Sequence, residues 1–271
     1  NCREPETWRQ LLAAAGVEKV NGIFTSPPYA EQRKAQYGGV PVAEYVEWWE
    51  AVQAHARENL AGAGSFFVNI KPHCEDGERV LYVFDLVLAM RRQWGWRFVD
   101  ELCWQRRGYP GDYKGRFRNE FEPVYHFAVN GHKFDAGNVS VESADVPYYA
   151  PTIRRVATGA PFEHGSDLAA RNRPGMARPG NVIRVSLASS TDGQLPQSAM
   201  FPVALPDFFI RAYSDPGDIW LDPFCGSGTV LVAAQNNKRR GLGIERLEKY
   251  CAIILERMQV VFGITGELCP A

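Results

Sequence analysis

Apolar residues along this chain recur with two periods, one suited to strands and one to helices. The run VNGIFT at 20–25 is short, apolar and followed at once by Ser26-Pro27-Pro28-Tyr29. That pattern predicts a buried strand closed by a rigid turn. Over 42–60, Tyr45, Trp48, Trp49 and Val52 fall at helical spacing, so a helix with core-facing rings is expected, ending near the breaker Ala61-Gly62-Ala63-Gly64. SFFVNI (65–70) reads as a second strand, 76–94 as a helix, and 96–105 as a third strand. From Arg106 to about Gln197 the pattern lapses into Gly, Pro, Arg and Ser, interrupted by one strand at 121–130. Regular periods then return as helix VALPDFFIRAY, strand DIWLD, helix TVLVAAQNN, strand RGLGIE and helix LEKYCAIILERM. Strands alternating with helices predict an α/β fold with a doubly wound, mainly parallel sheet. The irregular middle reads as an inserted lobe.

Composition supports that picture and narrows the chemistry. The 271 residues are 45% hydrophobic and 23% charged, enough for one large α/β core with an insertion. No apolar run has the length of a membrane span, so no membrane partner is expected. The six cysteines form no C-x-x-C pair and the five histidines show no ligand spacing. A reduced, intracellular protein without a metal site is therefore expected. The first residue is Asn1 rather than Met, which suggests residues upstream. A net charge of −1 does not by itself suggest a nucleic-acid partner, but the charge is unevenly spread. Between 106 and 184 there are twelve Lys or Arg against eight Asp or Glu, so the irregular segment is the basic part.

The stretch DIWLDPFCGSGTVLVAAQ is a strand, a tight glycine turn and a helix. Gly226 and Gly228 allow backbone conformations closed to other residues and let a ligand approach closely. The G-x-G-x-x-G fingerprint is incomplete, because Leu231 stands at its third position. A diphosphate ligand such as a nicotinamide cofactor is disfavoured accordingly. Glu245 closes the next strand 23 residues after Asp222, where a carboxylate can accept from ribose hydroxyls. Adenosine without a diphosphate suggests S-adenosylmethionine; a plain turn without ligand is the simpler alternative.

TSPPY together with LDPFCGSGT and GIE resembles the DNA amino-methyltransferases, which methylate cytosine N4 or adenine N6 with S-adenosylmethionine. The order of motifs (catalytic loop, basic lobe, MFP, glycine turn) matches the permuted β class of that family. The resemblance implies a Rossmann-like core in two halves, 1–107 catalytic and 198–271 cofactor-binding, with a target-recognition lobe at 108–197. ELCWQRRGYP and RFRNEFEPVYHFAVN also resemble family segments flanking that lobe. The family's GD-C element would precede the catalytic strand; this chain opens Asn1-Cys2-Arg3-Glu4, so either Asn1 stands in its place or the element is truncated.

Residue roles follow from the resemblance. Ser26, Pro27, Pro28 and Tyr29 form the catalytic loop, with the Ser26 side chain and Pro27 carbonyl accepting from the target amine and Tyr29 stacking on a base flipped out of the duplex. Thr25, Phe201, Pro202, Asp222, Pro223, Phe224, Gly226, Gly228, Thr229 and Glu245 line the cofactor. Arg106, Arg107, Lys114, Arg116 and Arg118 are expected to contact DNA, some through phosphates. Ser-Pro-Pro-Tyr more often accompanies cytosine in the family, which makes an intracellular, DNA-associated cytosine-N4 methyltransferase the leading expectation, commonly a homodimer. Adenine N6, an RNA substrate and a non-catalytic DNA-binding relative remain as alternatives.

Overall fold

The computed structural model describes residues 1–32, 39–106, 113–142, 176–185 and 201–266. Its elements in chain order begin with α1 (Pro5–Ala15), β1 (Val20–Thr25), α2 (Tyr45–Asn59) and β2 (Leu60–Asn69). A small hairpin of β3 (Cys74–Glu75) and β4 (Glu78–Arg79) precedes α3 (Tyr82–Arg92), β5 (Arg97–Gln105) and β6 (Phe121–Ala128). β7 (Val141–Glu142) pairs β8 (Met176–Ala177), and β9 (Val182–Arg184) follows. The chain continues through α4 (Ala204–Tyr213), β10 (Ile219–Asp222), α5 (Thr229–Asn236), β11 (Arg240–Gly243) and α6 (Glu248–Phe262).

Seven strands form one sheet in the order β11-β10-β1-β2-β6-β5-β9. Every neighbouring pair is parallel except the two made by β6, which runs against both β2 and β5. Side-chain alternation sends Ile23, Phe66, Val68 and Leu221 to one face, where α1, α2 and α3 cover them. Phe24, Phe67 and Trp220 point the other way, against Leu205, Phe209 and Ile210 of α4 and Val230 of α5. Two apolar layers on one sheet give the doubly wound architecture that the alternating pattern predicts.

Four expectations change. Helix α1, which opens with Pro5 at its first turn, has no counterpart in the sequence reading. The helix over 42–60 ends at Asn59, as expected, but Ala61-Gly62-Ala63-Gly64 continues as strand: β2 starts at Leu60, and its pairing with β1 shifts register between Val20 and Gly22, which absorbs the small residues. The expected helix at 76–94 loses its first turn and a half to the β3–β4 hairpin, with Asp76 and Gly77 at positive φ in its turn. The strand at 121–128, read as an interruption of the lobe, sits inside the main sheet between β2 and β5. The sheet thus reaches into the segment 108–197, and most of what remains of that segment lies outside the described residues.

Candidate active site

The chain order turns around between β1 and β10. From β1 the sheet builds outward through β2, and from β10 it builds the opposite way through β11. Such a reversal leaves a crevice at the carboxyl ends of the two central strands, because their connections depart to opposite sides. Ser26-Pro27-Pro28-Tyr29 leaves the end of β1, and Pro223-Phe224-Cys225-Gly226-Ser227-Gly228 leaves the end of β10. The two motifs, distant in the chain, therefore share one edge. The hydroxyl of Thr25, the last residue of β1, donates to Asp222 Oδ1 at 2.7 Å, and both residues are buried.

Asp222 Oδ1 also accepts from the Phe224 N–H at 3.0 Å, which bends the chain into the glycine turn. Burial pushes its carboxyl up to about 7; the bonds from Thr25 and Phe224 oppose the rise and the Glu245 charge adds to it. Both bonds use Oδ1, so a proton on Oδ2 disturbs neither. With the folded value above the ordinary 3.8, the protonated form is favoured by folding. The stability contributed is complete below about pH 4 and lost as pH rises through about 7, by roughly 4 kcal/mol at most. Asp222→Asn keeps an acceptor for Thr25 and is expected to flatten the fall in melting temperature of the cofactor-free protein between about pH 5 and 8. Parallel curves for the two proteins would show that Asp222 titrates normally.

In the turn, Gly226 has φ +53 and Gly228 φ +80. A Cβ on Gly226 would meet nothing closer than the Phe224 carbonyl at 4.0 Å, so this position opens onto free space. Gly228 is different. Its Cβ would lie 3.1 Å from Ile254 of α6, so its small size serves helix packing. Thr229 is buried at the start of α5, near the guanidinium of Arg257 at 3.3 Å. The Glu245 carboxylate ties the turn to the end of β11: Oε2 accepts from the Gly226 N–H at 2.8 Å, and Oε1 accepts from the Arg246 and Leu247 N–H groups. Oε1 is thereby filled, while Oε2 retains a lone pair for one further donor. Phe224 is half-buried against the rings of Trp48 and Trp49, and Phe201 packs edge-on to Phe24 at 5.3 Å beside buried Pro202. Pro223 is buried at the head of the turn.

On the Ser-Pro-Pro-Tyr loop, Ser26 is half-buried and Pro27 buried. The Pro28 carbonyl accepts from the buried Tyr45 hydroxyl at 2.7 Å, an anchor from α2 that fixes the loop backbone. Tyr29 is half-buried, and its hydroxyl donates to Glu122 Oε2 at 3.0 Å. Glu122 Oε1 accepts from Lys71 Nζ at 3.1 Å and from an Arg106 guanidinium N–H at 2.6 Å. Neither Glu122 nor Lys71 figures in the sequence reading, and Tyr45 figures there only as a core-facing ring. The available signal was Glu122 itself, a lone acid in the apolar run FEPVYHFA, since a buried carboxylate needs partners.

Arg106, by contrast, is an expected DNA contact, and it lies half-buried just past the end of β5 over the Trp104 ring. Lys114 is exposed, Arg116 stands over the Tyr113 ring, and exposed Arg118 pairs with Glu120. Arg107 lies outside the described residues.

Residues 20–256 match a protein family described as DNA methylase, of the N6/N4 type. The chain is similar to the type II methyltransferase M.PvuII of Proteus hauseri, 26% identical, the match covering 90% of this chain and 79% of the relative. Over a shorter stretch, 22% of this chain and 23% of the relative, it is 43% identical to the orphan methyltransferase M.BamHII of Bacillus amyloliquefaciens. Its fold is similar to that of PvuII DNA methyltransferase (cytosine-N4-specific), with a TM-score of 0.67 at 24% identity over 89% of this chain and 79% of the other. It is also similar to TTHA0409 of Thermus thermophilus complexed with S-adenosyl-L-methionine, with a TM-score of 0.61 at 20% identity over 97% of each chain.

Proposed function

This chain belongs to the N6/N4 DNA methylase family, and from that premise we propose that it transfers the methyl group of S-adenosylmethionine to the exocyclic N4 amine of a cytosine extruded from DNA. The observation that carries the proposal is the juxtaposition of two loops at one sheet edge, joined by the Thr25–Asp222 bond. The Ser-Pro-Pro-Tyr sequence and the named specificity of the PvuII relative favour cytosine over adenine.

The residues present fit the cofactor. Open space at Gly226 admits a ligand against the backbone, and Glu245 Oε2 has capacity for a ribose hydroxyl. The Glu245 carboxylate gives this end of the crevice an acidic character suited to a cationic sulfonium. Phe224, Phe201 and Pro202 supply apolar walls. S-adenosylmethionine, when bound, supplies an electrophilic methyl group.

The chain's own part is to prepare the amine. Its lone pair is delocalised into the base, and acceptors placed around the N–H groups favour pyramidalisation and localise it. Ser26 Oγ and the Pro27 carbonyl take that role, on a loop that two prolines stiffen and Tyr45 anchors at Pro28. Tyr29 offers its ring to the base. Ser26 is too weak a base to hold the amine proton, which passes to solvent. Arg106, Arg107, Lys114, Arg116 and Arg118 contact the DNA, some of them through its phosphates, and an intracellular site of action follows from that substrate. Self-association, implied by the family resemblance, belongs to this proposal and is tested by sedimentation equilibrium, where a monomer at micromolar concentration would remove it.

Mass spectrometry of nucleosides tests the product, after DNA is treated with protein and isotopically labelled cofactor. Labelled 4-methylcytosine is expected. Label found only in 6-methyladenine would overturn the choice of base and preserve the amine chemistry, whereas label on carbon 5 of cytosine would overturn both.

A further inference from the structure

We propose that Glu122 is a positioning residue of methyl transfer, its carboxylate locking the Tyr29 ring in the orientation that receives the target base. The inference rests on the function proposed above and adds to it a residue that acts through another.

The geometry that supports it comes from the one reversed strand. Tyr29 follows the end of β1, Lys71 the end of β2 and Arg106 the end of β5. Because β6 runs against its neighbours, its beginning lies at the edge where theirs finish, and Glu122 is its second residue. Four side chains from four adjacent strands β1-β2-β6-β5 therefore meet at the mouth of the crevice.

The carboxylate divides its work between its two oxygens. Lys71 and Arg106 both hold Oε1, which fixes the plane of the group. Oε2 is thereby aimed at the Tyr29 hydroxyl, 3.0 Å away. Two cations already compensate a carboxylate that is only 5% exposed, so the phenol is not needed to make its burial tolerable. The bond instead acts on Tyr29. Tyr45 fixes the loop backbone one residue earlier, at Pro28, but does not reach the side-chain torsions of the tyrosine. A hydrogen bond from its hydroxyl to a charged acceptor sets them. A stacking surface held at one angle sets where the amine of the stacked base lies, and transfer rates are sensitive to that position.

A double-mutant cycle in the full-length protein separates positioning from support. Glu122→Gln keeps the size of the side chain; its amide oxygen stays with the cations, which turns the NH2 toward the phenol and takes the carboxylate acceptor away from the Tyr29 hydroxyl. Tyr29→Phe keeps the ring and removes the hydroxyl. Under single turnover, with tritiated S-adenosylmethionine and genomic DNA from a host lacking DNA methylation, each variant is expected to transfer methyl about tenfold more slowly than wild type. The double variant should be no slower than the slower single one, and S-adenosylmethionine affinity by calorimetry should stay within about twofold of wild type throughout.

Penalties that multiply in the double variant, or a rate unchanged by Tyr29→Phe, would overturn the proposal and make Glu122 a purely structural ion. If Glu122→Gln does not fold, Glu122→Asp retains the charge for Lys71 and Arg106 while withdrawing it from the phenol, and the same non-additive result is required. A wild-type protein that places no label on DNA amines would instead defeat the underlying reading, independently of the cycle.

Discussion

Replacing Tyr29 with alanine is expected to slow methyl transfer to DNA by roughly tenfold to a hundredfold while leaving S-adenosylmethionine affinity nearly unchanged. Stacking of a base on an aromatic ring contributes about 1–3 kcal/mol in nucleic-acid complexes, and an extruded base has lost its stacking neighbours in the duplex. In the proposed arrangement the ring faces the target base and the glycine turn the cofactor, and the bond that ties the two loops runs from Thr25 to Asp222. Truncation at residue 29 therefore reaches the target subsite alone. Single-turnover rates paired with titration calorimetry measure the split. Equal losses in rate and cofactor affinity would place Tyr29 in the support of the whole loop, and an unchanged rate would remove it from the site.

Valine at position 226 is expected to have the opposite selectivity, abolishing cofactor binding within the range calorimetry can measure. Gly226 has φ +53, a left-handed conformation that costs an ordinary L residue roughly 1–2 kcal/mol and a β-branched one more. Keeping the turn as it is projects the new side chain into open space, since the nearest atom to its Cβ is 4.0 Å away. Rotating the backbone to relieve the strain turns the residue 226 N–H off Glu245 Oε2 and slackens the tie between β10 and β11. Either response spoils the pocket. S-adenosylmethionine should raise the melting temperature of the wild type and leave that of Gly226→Val where it was, as mass action requires for a ligand that no longer binds the native state. A preserved thermal shift would exclude the turn from the cofactor site.

Much of this was legible in one dimension. Strands such as Val20–Thr25 and Ile219–Asp222 carry continuous apolar runs, because a central parallel strand is covered on both faces and its pattern does not depend on which partner it meets. Helix Tyr45–Asn59 declares its buried face through Tyr45, Trp49 and Val52. Where local signals conflicted, the reading failed. Ala61-Gly62-Ala63-Gly64 looks like punctuation, yet lies within β2, at the register shift in its pairing with β1 that accommodates the small residues. At Gly228, which the resemblance places along the cofactor, the Cβ position faces Ile254, and that packing role depends on where α6 lies.

By itself, the sequence determined the succession of strands and helices, the two loops that carry chemistry and the family they resemble, because each depends on residues within a few positions of one another. Tertiary structure alone decided that Phe121–Ala128 enters the sheet reversed and that Thr25 bonds Asp222. It also decided that Lys71, Arg106 and Tyr29 converge on Glu122. Those contacts join residues from 16 to 197 positions apart, and strand order, which no local pattern encodes, sets which of them meet.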